Sequence, residues 1–222
     1  MSENINTRPE LPARLDIFSD PVCPWCYIGK ASLDRALAEA PDNPFAIQWH
    51  PFQLNPEMPR EGMERRAYLR ARFGNEEAVV KAHLPVMEHA ERAGLTIDLS
   101  AMKRMPNTLD AHRLIHWAGI EHRQNAAVDA LFAAYFVEGR DIGDHETLAD
   151  IADSIGMDAA VVLRLLQSGS DVENIRDRDA EARRMGVGSV PTFIVAGRHA
   201  VPGAQPSALW LEVISELLGG AE

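Results

Sequence analysis

The apolar residues of this 222-residue chain change period twice. That change limits the folds open to it. Leu15-Asp16-Ile17-Phe18-Ser19 is a short β-like run that ends in the turn signal Asp20-Pro21. Pro24 fits the first position of a helix, where its missing N–H costs nothing. Gly29, Leu33, Ala36, Leu37 and Ala40 then follow helical spacing, and Pro41 ends the stripe. Phe45, Ile47 and Trp49 alternate as a second strand. The apolar parity then shifts to Phe52 and Leu54, which predicts a kink or bulge at His50-Pro51. A helix linking two strands makes them parallel neighbours or near neighbours. From Asn55 to about Gly169 the pattern is helical almost throughout. Helices are expected over 64–73, 76–93 (with Pro85 as a kink or break), 108–120, 124–138, 145–155 and 158–168, with Asn75, Asn107, Asp144 and Asp158 as N-caps. Ser170-x-x-Glu173 reads as a capping box opening a charged helix that runs to Met185. Thr192–Val195 and His199–Val201 read as a hairpin about Ala196-Gly197-Arg198, and a last helix begins at Pro206. The order is βαβ, a helical block, then αββα, an α/β protein.

Composition removes several functions. Twenty-two basic against 33 acidic side chains leave a net charge of −11, the wrong sign for a nucleic-acid or anionic-lipid surface. No apolar run approaches the ~18–20 residues of a membrane span. Residues 1–12 read as a loose polar tail without the apolar stretch of a secretory signal, so the cytoplasm is the expected location. There are two cysteines, Cys23 and Cys26. Two cysteines placed at random fall three apart about once in a hundred arrangements. A bridge across so small a loop adds little stability by chain entropy, so the pair is there for its chemistry. A zinc site would need four ligands. No further cysteine exists, and the pairs His112/His116 and His83/His89 lie in distant segments, so no metal is expected.

Ser19-Asp20-Pro21-Val22-Cys23-Pro24-Trp25-Cys26-Tyr27-Ile28-Gly29-Lys30 closely resembles the active-site segment of the DsbA-like thioredoxin-fold oxidoreductases, in particular their FrnE-like branch. Pro51-Phe52-Gln53-Leu54-Asn55-Pro56, Pro106-Asn107-Thr108-x-x-Ala111-His112-Arg113 and Gly188-Ser189-Val190-Pro191-Thr192-Phe193 extend the match over nearly the whole chain. The resemblance implies a thioredoxin fold (βαβ…αββα) over residues 13–55 and 171–222, with residues 56–170 as a large inserted all-helical domain. It implies dithiol–disulfide exchange on protein or small-molecule disulfides, with Cys23 as nucleophile and Cys26 as resolving thiol. It also implies a cis Val190–Pro191 bond beside the cysteines, where Val190 would hold a substrate strand. A sister branch, the kappa-class glutathione transferases and hydroxychromene-carboxylate isomerases, keeps a serine at the reactive position. Both cysteines here favour redox chemistry, with glutathione as a potential co-substrate and no other cofactor. A homodimer is left open. The non-enzymatic alternative is a chaperone-like protein that binds peptides in an apolar groove.

The chemistry follows from the positions. A thiolate attacks in disulfide exchange. With Pro24 opening the helix, Cys23 is its N-cap, and its sulfur is expected to face the free N–H groups of Trp25 and Cys26. Cys26, one turn inside, is expected to be more buried and to keep its proton longer. Pro24-Trp25 lacks the histidine of the strongly oxidising relatives, which places the potential at roughly −270 to −180 mV. Trp25 offers an apolar face to substrates. Thioredoxins carry a buried acid where this chain has Ile17, so Asp20 becomes the candidate for proton transfer, with capping as its alternative role. Asn107 reads first as an N-cap. In the glutathione-using relatives a similar segment lines the substrate cleft, which makes Asn107 and His112 candidate ligand contacts.

Overall fold

In the computed structural model, which describes residues 12–219, the first strand, β1 (Ala13–Ser19), lies beside β2 (Phe45–Pro51) in parallel, and α1 (Pro24–Glu39) crosses between them. Most of the tail read from the sequence lies outside the described residues. The register runs unbroken from Ala13↔Phe45 to Ser19↔Pro51. The kink expected at His50-Pro51 is therefore absent: the strand simply ends there, with Phe52 buried and Leu54 turned out to solvent. β5 (Thr192–Val195) pairs antiparallel with β1, and β6 (His199–Pro202) with β5, giving the order β2-β1-β5-β6. Successive side chains on β1 point to opposite faces, and both faces are covered. Leu15 and Ile17 share a face with Phe193, against which α1 packs through Gly29. Asp16 and Phe18 face α8 (Val172–Arg184). Phe193 meets Trp210 of α9 (Ser207–Leu217) edge to face at 4.7 Å. Burying each such side chain contributes about 1.5–3 kcal/mol.

Between β2 and α8 the chain forms α2 (Arg65–Phe73), α3 (Glu76–Arg92), α4 (Leu109–Ile120), α5 (Gln124–Phe136), α6 (His145–Ser154) and α7 (Ala159–Ser168). α3 runs through Pro85 without a break. Asn75, Asp144 and Asp158 each accept a backbone N–H at N3, as N-caps do. The capping box at Ser170 does not form. Asp171, in the left-handed region at φ 61°, precedes α8, and the Ser170 hydroxyl pairs instead with Ser168. A two-stranded ribbon of β3 (Met63–Glu64) and β4 (Arg104–Met105) brackets α2 and α3, joining the segment before α2 to the segment before α4. A Cβ at Gly62, which has φ +68°, would stand 2.6 Å from the Met105 carbonyl oxygen, so the ribbon closes only over a glycine.

The insertion is tied to the sheet by polar side chains. Gln124, at the start of α5, accepts the Trp49 N–H through Oε1 at 2.8 Å and donates through Nε2 to the Trp49 carbonyl at 3.2 Å. Its amide thus stands where another strand would pair with β2. Arg113 of α4 is buried. It donates to the carbonyls of Leu165, Leu166 and Ser170 and pairs with Asp110 at 2.6 Å.

Candidate active site

Cys23 sits at the junction of strand and helix. Its N–H closes a turn on the Asp20 carbonyl, and its own carbonyl accepts from Cys26 and Tyr27 as α1 begins. Pro24 occupies the first helical position, as its fixed φ favours. Both cysteines are free thiols, 3% and 1% exposed. The Cys23 sulfur makes no bond to the helix N–H groups that the sequence reading gave it. It lies 3.7 Å from the Val190 carbonyl oxygen, toward which the S–H donates. The reason is chemical: a neutral thiol is a donor and seeks an acceptor, whereas the N–H groups of the helix suit a sulfur that has lost its proton. Burial pushes the Cys26 thiol well up, and the neighbouring Cys23 adds to this, while the Ser19 hydroxyl and the Asp20 N–H act the other way.

The Val190–Pro191 bond is cis. The loop is held at both ends: the Thr192 hydroxyl donates to the Ser189 carbonyl at 2.8 Å, and Gly203 N–H to the Pro191 carbonyl at 2.8 Å. Gly29 matters here in a way its place in the helical stripe did not reveal. A Cβ there would meet Pro191 Cγ at 3.1 Å, Phe193 Cζ at 3.3 Å and the Ala204 Cα at 3.4 Å. The loop and the dithiol helix approach through the missing side chain. Trp25 is half-buried, its ring edge-on to His89 of α3 at 5.0 Å. Tyr27 stacks on Phe132 and Phe136 of α5 at 5.1 and 5.4 Å, fixing the helix against the insertion.

Asp20 is fully buried. Its Oδ2 accepts the Leu54 N–H at 2.7 Å, so it holds the segment after β2 rather than capping α1. Burial raises its carboxyl to about 7, against the pull of the Leu54 N–H, the Thr108 hydroxyl and the Val22 N–H. His112 lies against it, and burial, reinforced by Arg178, lowers the imidazole to about 3. The pair is thus no ion pair at neutral pH, despite its proximity. Asn107 accepts the Leu109 N–H at 2.9 Å and donates to the Met58 carbonyl at 2.6 Å. Thr108 rather than Asn107 takes the N-cap position. The structure thus gathers Cys23, Pro24, Trp25, Cys26, Val190 and Pro191 at one place and Asp20 with His112 behind them, and it spends the Asn107 side chain within the protein.

A helix that begins at a cysteine pair and faces a cis-proline loop on this four-stranded sheet defines a thioredoxin-fold protein with a helical insertion. The sequence pattern of the DSBA-like thioredoxin domain matches residues 14–215, and the chain belongs to that family. It is similar to the crystal structure of the probable DsbA oxidoreductase SCO1869 from Streptomyces coelicolor, with 28% identity and a TM-score of 0.82 over 95% of this chain and 92% of that one. It shares its fold with 2-hydroxychromene-2-carboxylate isomerase (16% identity, TM-score 0.71, 92% and 96% covered). It also shares it with the cytosolic disulfide reductase DsbM from Pseudomonas aeruginosa, solved with GSH (17% identity, TM-score 0.66, 93% and 99% covered). Among the described residues no helix is long and apolar enough to cross a membrane.

Proposed function

We propose that this protein is a thiol–disulfide oxidoreductase of the FrnE-like branch, working through Cys23 and Cys26 on protein or small-molecule disulfides. The observation that carries this reading is the approach of the Cys23 sulfur to the Val190 carbonyl, with Cys26 buried behind it. Cys23 loses its proton, and the sulfur turns from the carbonyl toward the N–H groups at the start of α1. The thiolate attacks one sulfur of a substrate disulfide. A mixed disulfide forms, and the second substrate sulfur leaves as a thiolate that takes up a proton. The backbone of Val190 holds the substrate chain in β-like pairing during this step. Cys26 then gives its proton to Asp20 and attacks Cys23. The reduced substrate departs, and a Cys23–Cys26 disulfide remains. Glutathione is the small thiol best suited to reset it, and the cytosol is the compartment in which a net reductase of this kind would work.

Reduction of insulin by dithiothreitol tests the reading. The protein should shorten the lag before the B chain precipitates, and Cys23→Ala should abolish the effect. A lag equal to that of dithiothreitol alone would overturn it. Activity in a glutathione-dependent isomerisation assay that survives Cys26→Ala would point instead to the isomerase chemistry named in one of the structural relatives.

A further inference from the structure

On the side of the sheet away from α1, the chain leaves a recess of about 820 Å³ between β2, the α4–α5 turn and α8. Arg14, His50, His116, His122, Asn125 and Arg178 are among the side chains that line it. Arg178 is half-buried, and among the described residues no carboxylate forms an ion pair with it. Its guanidinium donates instead to His116 Nδ1 at 3.1 Å and His50 Nδ1 at 3.4 Å. A guanidinium has donors only, so both imidazole nitrogens must present lone pairs to it and both rings are neutral there. The acids nearby are engaged elsewhere. Asp16 binds His50 Nε2 and Arg14, each at 2.6 Å, and Glu181 pairs with Arg184 at 2.7 Å. A partly buried charge is ordinarily matched by an opposite one. Here it is oriented by two neutral rings, with three of its five N–H groups left over, on a protein whose net charge is −11.

The geometry points to a binding site for a phosphate-bearing small molecule, with Arg178 as its charged anchor. Arg178 supplies the planar fork that suits a phosphate. His116 Nε2–H and the Asn125 amide add neutral donors. The Asn125 Oδ1 is already taken by the Trp49 indole N–H, which leaves its NH₂ free to turn into the recess. The three remaining N–H groups of Arg178, His116 Nε2–H and the two N–H of Asn125 are more donors than the roughly four acceptor positions of a carboxylate. The three terminal oxygens of a phosphomonoester offer about six. Arg14 stands at the rim with 60% of its side chain exposed. The site shares no lining residue with the dithiol and is independent of the redox reading.

Isothermal titration of the full chain with inorganic phosphate and, separately, with adenosine 5′-monophosphate at fixed ionic strength tests this. One equivalent should bind saturably, and Arg178→Gln should weaken it by about tenfold or more, the loss expected for a charge-assisted hydrogen bond. Tighter binding of the monophosphate than of phosphate would assign the site to a phosphomonoester, and equal binding to the free anion. Arg14→Gln, at a side chain 60% exposed, should weaken binding by a few fold. Near-ultraviolet circular dichroism shows whether Arg178→Gln keeps its fold, and the same check is applied to Arg14→Gln because Arg14 also pairs with Asp16. No saturable heat with either probe up to 10 mM, or an affinity unchanged by both substitutions, would overturn the proposal.

Discussion

Asp20 Oδ1 and His112 Nε2 face each other 3.8 Å apart in the interior, and neither atom has a hydrogen-bond partner. One atom comes from the turn before the dithiol helix and the other from α4. A single proton on the carboxyl would satisfy both by a small closure of that gap, since a neutral acid donates and a neutral imidazole accepts. The raised carboxyl and the lowered imidazole describe that state.

The pair makes an unusual demand on stability against pH. In the unfolded chain Asp20 titrates near ~3.9 and His112 near ~6.5. At pH 5 the unfolded pair therefore holds its proton on the histidine, and the folded pair holds one on the aspartate. The proton counts are equal, so the wild type gains almost no slope from the pair between about pH 4 and 6.5. Asp20→Asn leaves the lowered histidine alone, and stability should fall as pH drops from 6.5 toward 3. His112→Leu leaves the raised acid alone, and stability should fall as pH rises from about 4 through 7. Each slope is at most ~1.4 kcal/mol per pH unit. Urea unfolding at three pH values decides it: slopes parallel to wild type in both variants would refute the coupling.

If Asp20 takes the proton of Cys26, the resolution of mixed disulfides should accelerate as pH rises through about 7, where the carboxyl ionises. Asp20→Asn should lose that inflection while keeping the first attack by Cys23. Stopped-flow release of a preformed mixed disulfide measures this directly. An inflection retained near 7 in the variant would place the proton elsewhere.

The order of attack is open to trapping. Cys26→Ala should accumulate a mixed disulfide with substrate, because no second thiol remains to release it. Cys23→Ala should trap little, because burial keeps the remaining Cys26 thiol protonated and so poorly nucleophilic. Non-reducing gels with the reverse pattern would exchange the two roles.

Gly29→Val should push the cis-proline loop from the dithiol helix. The first added carbon already lies 3.1 Å from Pro191 Cγ, and two more methyl groups follow. A cost of about 1–3 kcal/mol is expected, with slower trapping by Cys26→Ala in the double variant. A guanidinium chloride midpoint equal to that of wild type would show that the loop yields without strain.

Arg113→Met should cost about 3–5 kcal/mol, because it strips donors from three carbonyls near the end of α7 and a partner from Asp110. A loss below about 1 kcal/mol would mean that water replaces the guanidinium at little cost.

Local features of the chain were legible in its sequence because they are local in cause. Pro24 and the alternation of Phe45, Ile47 and Trp49 determine a helix start and a strand without reference to anything distant. The pairing of Asp20 with His112 spans 92 residues, and no spacing reports it. Gly29 fitted a helical stripe, and the close approach it permits depends on a loop about 160 residues further on. Ser170 and Glu173 have the spacing of a capping box. The Arg113 guanidinium on the Ser170 carbonyl and the left-handed Asp171 override that local preference. The ribbon of β3 and β4 is two residues per strand, too short for any period to show.

The amide of Gln124 on the backbone of Trp49 has a consequence for how the molecule behaves in company. The outer strand of a sheet is a template on which a foreign strand can add, and proteins commonly blunt it with charge, proline or a covering element. Here a side chain from the insertion takes both backbone groups of one residue on that border, and Pro51, with no N–H to offer, closes the strand beyond it. Addition of a foreign strand is thereby opposed at the β2 border. The insertion covers that border against indiscriminate sheet extension, and Gln124→Ala should raise the tendency of the protein to self-associate on concentration, read as a rise in weight-average mass by light scattering relative to wild type.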